Sequence, residues 1–361
     1  MSGGVVVPAT LRKALAIQTL LSLPQDLQSE ETNENSTCRH KLGRGRHRWL
    51  AGRRPCGGHR PAQSWPTKTV TIVVPFTPGV TVDISARVVG EQLSRQIGQP
   101  VVIENRGGAG GTIGAGMVAK SEPDGHTLLV SGSLGSANAI FANLPYDTLR
   151  DFAGVHSLGL QPLVLVSPPD RPFKTLREVI AAAKAKPGSL NYGSGGIGSA
   201  THLAGERIRM SAGIDVQHVP FKGANDALRE VMAGRLDWYA TPIPSALELI
   251  RAGKVVPLAV SAAKRSSVLP DVPTTVELGL ADSAYLLYAG LFAPAKTPRD
   301  VLLKIHQEVD KALQAPAVKD RLKALGAEPM PMSQPEFDKY FRADVDGNVA
   351  LVKAAKIPTQ Q

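Results

Sequence analysis

Cysteine is almost missing from this chain. Of its 361 residues only Cys38 and Cys56 carry a thiol, and both lie among the first 64. The remaining 297 need no disulfide and offer no thiol chemistry, so their fold suits an oxidising or a reducing compartment. No run of eighteen apolar residues occurs, which argues against an integral helical membrane protein. The signatures of covalent and metal catalysis are missing as well. There is no G-x-S-x-G and no H-E-x-x-H. Ser261-Ala262-Ala263-Lys264 spells S-x-x-K, but neither S-D-N nor K-T-G accompanies it. His126, His156, His202, His218 and His306 are scattered at no metal-binding spacing. What is present is ordinary for a globular protein. Hydrophobic residues make up 43% and charged residues 20%, which argues against disorder throughout, and the length favours two domains over one.

The net charge of +10 suggests a nucleic-acid partner until it is divided along the chain. Residues 1–64 hold ten Lys/Arg and four Asp/Glu, whereas the rest hold 31 and 27. The basic character belongs mainly to the tail. Its run 39–60 has only Trp49 as an aromatic and so lacks the stacking residues of a nucleic-acid binder. Cys38, His40, His47, Cys56 and His59 match no zinc-finger spacing. The apolar stretch 14–23 is broken by Gln18, Thr19 and Ser22, and no small-x-small site follows it. Residues 1–64 therefore read as an unstructured, atypical extension. The arginine, glycine and proline of 39–60 are what GC-rich codons yield out of frame, so residues 1 to about 60 are expected to be the product of a displaced start or frame.

From Trp65 onward the pattern is regular. The β-branched run 69–74 predicts a buried strand, after which Asp83 is placed to cap a helix carrying Ile84, Val88, Leu93 and Ile97. Gly98 and Pro100 stop that helix. Further strands are predicted at 100–104 and 127–131, separated by the glycine-rich loop 105–111 and a helix. A second series begins with the capping box Thr175/Glu178. It continues through strands at 190–193, 216–221, 236–240 and 255–261, with helices between them. Capping boxes are also read at Thr297/Asp300 and Ser333/Glu336. Apolar strands at 162–166 and 285–292 bracket the second series. This alternation predicts an α/β protein whose parallel sheets are covered on both faces, built as two lobes joined by two crossing strands.

Ligands of such sheets bind beyond the carboxyl ends of the strands. That selects loops 75–83, 105–112, 131–133, 194–202, 221–224 and 240–244, which are rich in glycine and small hydroxyls and poor in charged side chains. Backbone N–H groups and helix dipoles suit an anion there. Ser133, His202 and Thr241 are candidates on this ground. His202 either contacts the ligand or packs behind the loop from its helix face. Gly193-Ser194-Gly195-Gly196-Ile197-Gly198 also satisfies G-x-G-x-x-G, which leaves a nucleotide-dependent α/β enzyme as an alternative. Against it, the next strand ends in Phe221-Lys222-Gly223, without the acidic residue that would hold a ribose.

A set of motifs then points to a family. They are Trp65-Pro66-Thr67-Lys68, Val74-Pro75-Phe76 with Pro78-Gly79 and Asp83, and Val102-Ile103-Glu104-Asn105-Arg106 with Gly108-Ala109-Gly110-Gly111. Pro123-Asp124-Gly125, Leu144-Pro145-Tyr146-Asp147, and Leu190-Asn191-Tyr192-Gly193-Ser194 with Gly198-Ser199 follow in order. His202-Leu203-Ala204-Gly205-Glu206, His218-Val219-Pro220-Phe221-Lys222-Gly223 and Leu269-Pro270-Asp271-Val272-Pro273-Thr274 complete them. From Trp65 to about Ile357 the chain resembles the Bug proteins, extracytoplasmic solute receptors of tripartite tricarboxylate transporters. The resemblance implies a periplasmic-binding-protein fold of type II-like form, with two Rossmann-like lobes closing on a small organic carboxylate. Lobe 1 would comprise 65–162 and 290–361, and lobe 2 would comprise 163–289. It further implies a monomeric periplasmic protein that is not an enzyme, uses no cofactor or metal, binds no nucleic acid and delivers its ligand to membrane permease subunits. Carried over, the ligand loops are Phe76, Thr77 and Gly79 with Asp83, and Ser194, Gly195, Gly196 and Ser199. Val80 stands where the family usually has a second glycine.

Overall fold

In the computed structural model, which describes residues 65–221 and 223–360, nine strands form one sheet. The basic tail, with the zinc, nucleic-acid and displaced-frame readings attached to it, lies outside the described residues, as does Lys222. Strand β1 (Val70–Val74) pairs in parallel with β2 (Val101–Asn105) and β3 (Thr127–Ser131). Helix α1 (Thr81–Ile97) links the first two and ends on Gly98 at φ 67, where only glycine is unstrained. Helix α2 (Thr112–Ala119) leads into β3, and α3 (Leu134–Ile140) follows it.

After the short helix α4 (Thr148–Asp151), strand β4 (Phe152–Ser167) runs for 16 residues, far beyond the crossing segment the sequence suggests. In the second lobe, β5 (Asn191–Ser194) lies parallel to β6 (Gln217–Pro220) and β7 (Trp238–Pro242). Helix α5 (Leu176–Ala185) precedes this group, starting at the Thr175/Glu178 box. Helices α6 (Ala200–Ala212) and α7 (Ala224–Met232) connect its strands, and α8 (Ile243–Arg251) leads out of it.

The sheet is mixed rather than parallel, which corrects the expectation from alternation. Strand β8 (Val256–Val260) runs antiparallel to β4, and so does β7. The first part of β4 pairs antiparallel with β9 (Leu286–Pro294), and β9 pairs antiparallel with β3. The two crossing strands thereby fuse both lobes into one sheet of order β2-β1-β3-β9-β4-β7-β5-β6. A long central strand can satisfy its ladder in two lobes in turn. It changes partners just beyond a pairing irregularity containing Gly159, whose φ of 137 is open only to glycine.

Helices α9 (Arg299–Gln314) and α10 (Pro316–Ala324) cover the first lobe together with α1. The capping box read at Thr297/Asp300 does not form. Thr297 is buried one residue outside the N-cap, and Pro298, with its preset φ, starts α9 without a side-chain cap. The Ser333/Glu336 box does form, opening α11 (Gln334–Ala355). The first half of α11 packs Phe337, Tyr340, Phe341 and Val345 against Leu129, Phe152 and Phe292. Its end packs Leu351 and Val352 with Tyr192, Leu203 and Trp238 of the second lobe. One helix thus touches the cores on both sides of the crossing.

Phe341 is fully buried, whereas Val349 on the same helix is 42% exposed. Phe341→Ala is expected to cost about 3–5 kcal/mol of stability, and Val349→Ala no more than about 0.5 kcal/mol. Urea denaturation of the two variants checks the difference.

Candidate functional site

Five helices, α1, α3, α6, α7 and α8, begin where strands end, and residues of their first turns surround one cleft of about 900 Å³. At four of these starts the N-cap residue makes no side-chain hydrogen bond to its helix: Val80, Ser133, Gly223 and Pro242. Away from the cleft, α4 and α5 are closed by Asp147 and Thr175, whereas α9 and α10 also start without a side-chain cap. An uncapped start leaves its first N–H groups without an intrahelical acceptor and exposes the positive end of the macrodipole. Several such ends around one cavity make an anion site. Among the described residues the charged side chains of the cleft wall are Asp226 and Arg229, and these two are bonded to each other.

The first-lobe loop is locked from beneath. Asp83 is not the N-cap of α1, as the sequence suggests; Val80 is. Asp83 lies within the first turn, buried, and reaches back so that its Oδ2 accepts the Gly79 N–H at 2.9 Å. Gly79 lines the cleft with φ 85, but its amide is committed to Asp83. The uncommitted amides lie one step further on, at Thr81 and Val82 in the uncapped first turn.

The second-lobe loop is likewise closed on itself. Gly195 donates its N–H to Thr201 Oγ1 at 2.9 Å, Gly196 to Ser194 Oγ at 3.1 Å, and Gly198 to His202 Nδ1 at 3.0 Å. Ser199 Oγ accepts from the His202 N–H. These bonds leave the amides of Ile197, Ala200 and Thr201 uncommitted, and all three residues line the cleft. His202 therefore packs behind the loop and holds it. Its ring stacks on His218 with centroids 3.8 Å apart. His218 stacks on Tyr192 at 5.0 Å, and Tyr192 on Trp238 at 4.8 Å. Ser194 Oγ lies 2.7 Å from His218 Nε2, joining the loop to the same stack. Burial is the main cause that pushes the His202 pKa down to about 3 and that of His218 down to about 4. Both rings are neutral at pH 7, and the bond from Gly198 places the His202 proton on Nε2.

Of the residues singled out in the sequence, Phe76, Gly79, Ser133, Gly195 and Ser199 line the cleft. Asp83, Ser194 and His202 lie behind the loops. Gly196 sits within its loop at φ 124, and its missing Cβ would stand 3.3 Å from the Phe221 carbonyl. Thr77 is exposed outside the lining, and Thr241 is fully buried on β7. Thr81, Val82, Ala200 and Thr201 lie within the selected loops 75–83 and 194–202 but were not singled out, although all four line the cleft. For Thr81 and Val82 the available signal was the absence of a capping residue before an amphipathic helix; Ala200 and Thr201 follow the Ser199 cap and had no such signal. His218 was read only as part of a motif.

With the cleft defined, comparison with known proteins places the chain. Residues 85–357 match the family described as the tripartite tricarboxylate transporter family receptor. BugT of Bordetella pertussis is 35% identical over 286 residues, covering 78% of this chain and 87% of BugT. The chain belongs to this receptor family. Among solved structures, Rpa4515 of R. palustris with adipate is 32% identical with a TM-score of 0.72, covering 82% of this chain and all of that one. MatC of Rhodopseudomonas palustris with bound malate is 34% identical with a TM-score of 0.69, covering 80% and 100%. As a tripartite tricarboxylate receptor the protein is a solute-binding protein and not an enzyme, with a type II-like periplasmic-binding-protein fold. The receptor's G-x-G-x-x-G loop has a physical reason to differ from a dinucleotide site. The amides of Gly195, Gly196 and Gly198 already have acceptors within the loop and α6.

Two expectations follow from the loop. In Gly196→Val a branched side chain must adopt positive φ against the Phe221 carbonyl, which displaces the loop. Calorimetric titration should show ligand affinity reduced at least tenfold in a variant that is still folded. The histidine pair also ties stability to pH. Its folded pKa values lie below the unfolded value of about 6.5, so the unfolded chain binds protons that the folded chain refuses. Stability is therefore full above about pH 6.5 and declines as pH falls toward 4. His202→Asn keeps an acceptor for the Gly198 N–H and removes one of these titrations. Melting temperature against pH should fall less steeply between 6.5 and 4 in this variant than in the parent.

Proposed function

We propose that this protein is a periplasmic, monomeric receptor that captures a small organic carboxylate and delivers it to the membrane permease subunits of a tripartite transporter. The observation that carries this reading is the convergence of helix starts from both lobes, α1 and α3 from one and α6, α7 and α8 from the other, all but α6 without a side-chain cap, on a single cleft with no unpaired cationic side chain among its described lining residues. An anion stabilised by amides of both lobes draws them together, so binding and closure are one event. Family membership and the adipate- and malate-bound relatives support the carboxylate. No helix among the described residues is long and apolar enough to cross a membrane, which accords with a receptor that meets its permease from outside the bilayer. In this reading Phe76, Gly79, Ser133, Gly195, Gly196 and Ser199 shape the pocket and its loops, whereas Thr77 and Thr241 lie outside it. Asp83, Ser194 and His202 keep those loops in place. The lobes, 65–162 with 290–361 and 163–289, close about β4 and β9.

Thermal-shift measurement against adipate, malate, benzoate and NAD tests it. At a hundred times its dissociation constant a cognate ligand adds about 2.7 kcal/mol of stability. One or more carboxylates should give a saturable rise, and the radius of gyration from small-angle scattering should shrink with that ligand. Stabilisation by NAD alone would sink the reading.

A further inference from the structure

The first-lobe ligand loop depends on two side chains outside it, Arg87 in the second turn of α1 and Asn105 at the end of β2. Asn105 Nδ2 donates to the Phe76 carbonyl at 3.1 Å and to Asp83 Oδ1 at 2.9 Å. Arg87 Nε donates to Asp83 Oδ2 at 3.0 Å, and its Nη2 lies 3.0 Å from Asp83 Oδ1 and 2.7 Å from Asn105 Oδ1. Asp83 in turn accepts the Gly79 N–H. The loop is thus gripped at both ends, by its Phe76 carbonyl and its Gly79 amide, and each grip leads to the same carboxylate. The arrangement is a two-toothed guanidinium–carboxylate pair, the geometry in which such pairs are strongest and most directional. β-Sheet pairing places Asn105 opposite Val74, the last residue of β1, so the end of β2 stands directly beside the loop. Phe76, Gly79 and Val80 line the cleft, whereas Arg87 and Asn105 do not.

We propose that Arg87 and Asn105 are positioning residues for ligand capture, setting the loop 76–80 through Asp83 without touching the ligand. The effect on affinity rests on the carboxylate-receptor reading; the clamp itself does not. A receptor that holds an anion by amides gains only if those amides wait in the bound geometry. A loop built of Pro78, Gly79 and an uncapped helix start has no strand ladder of its own to keep it there. The groups facing Asp83 are Arg87, Asn105 and the Gly79 amide; the neighbouring Glu104 and Arg106 are bonded to each other. Burial works against the Asp83 carboxylate, but hydrogen bonds from Arg87, Gly79 and Asn105 outweigh it and hold the carboxyl below its usual range.

The test uses the full chain with Arg87→Ala, Arg87→Lys and Asn105→Ala, and two readouts. The first needs no ligand. The pH titration of the Gly79 amide resonance reports the protonation of Asp83, and its midpoint should move upward in Arg87→Ala and less so in Arg87→Lys. The second is calorimetric affinity for whichever of adipate, malate or benzoate stabilises the parent protein. It should weaken about tenfold or more in Arg87→Ala and Asn105→Ala, recover in part in Arg87→Lys, and become weaker still as pH falls in Arg87→Ala alone. An unmoved Gly79 midpoint overturns the clamp. A moved midpoint with unchanged affinity overturns the positioning role and leaves only a structural one. If none of the three acids stabilises the parent, the carboxylate reading fails for these ligands, and the loop resonance still decides whether the clamp exists.

Discussion

An anion held without a facing cation needs amides that do not move. In the proposed function, the geometry of the cleft answers that constraint. A charge taken from water loses hydration worth many kcal/mol, and hydrogen-bond donors must already point at the place it will occupy. Side-chain cations are flexible and bring their own hydration. Backbone N–H groups at a helix start are rigid and arrive with a favourable dipole. The cleft therefore sits where strands end and helices begin, and four of the helices that open there forgo the side-chain cap that would otherwise add about 1 kcal/mol each. Their uncapped state is unfavourable locally and is maintained by buried cores on both sheet faces of each lobe.

The two loops reach rigidity by different chemistry. In the first lobe a buried, ionised Asp83 gathers an amide, an amide side chain and a guanidinium, so charge does the fixing. In the second, neutral rings do it. His202 accepts from Gly198, and His218 meets Ser194. The pair leans on Tyr192 and Trp238, with the Tyr192 hydroxyl bonded to the buried Glu206. Keeping these histidines uncharged has a cost in acid, because burial opposes their protonation, and it leaves the loop's electrostatics to the helix start alone. In both loops the glycine amides nearest the cleft are consumed in holding the loop. The amides left for a ligand belong to the residues just after them.

Between the lobes, β4 and β9 provide backbone continuity and α11 provides side-chain contact with both cores. A pair of strands alone would allow the lobes to swing widely. The helix, anchored by Phe337 and Phe341 on one side and by Leu351 and Val352 on the other, restrains that swing to motions its packing tolerates.

How much of this was legible in the sequence depends on how local each cause is. The strand–loop–helix alternation, the boxes at Thr175 and Ser333, and the stop at Gly98 could be read because periodicity, capping and positive φ act within a few residues. The glycine loops could be located for the same reason. The box at Thr297 failed because Pro298 moved the helix start, a local effect that the spacing alone concealed. The antiparallel pairing of β4 with β9, and the single sheet that results, join residues 124 to 142 positions apart and could not be read locally. The same holds within the cleft. Sequence motifs located loops that line the cleft, but which of their amides stay uncommitted was decided by Thr201 Oγ1, His202 Nδ1 and the Asp83 carboxylate, and what steadies that carboxylate was decided by Asn105, on another strand. Hydrogen bonds between residues distant in sequence exist only once the chain has folded, so the loops were written in the sequence and their working surface was set by the tertiary structure.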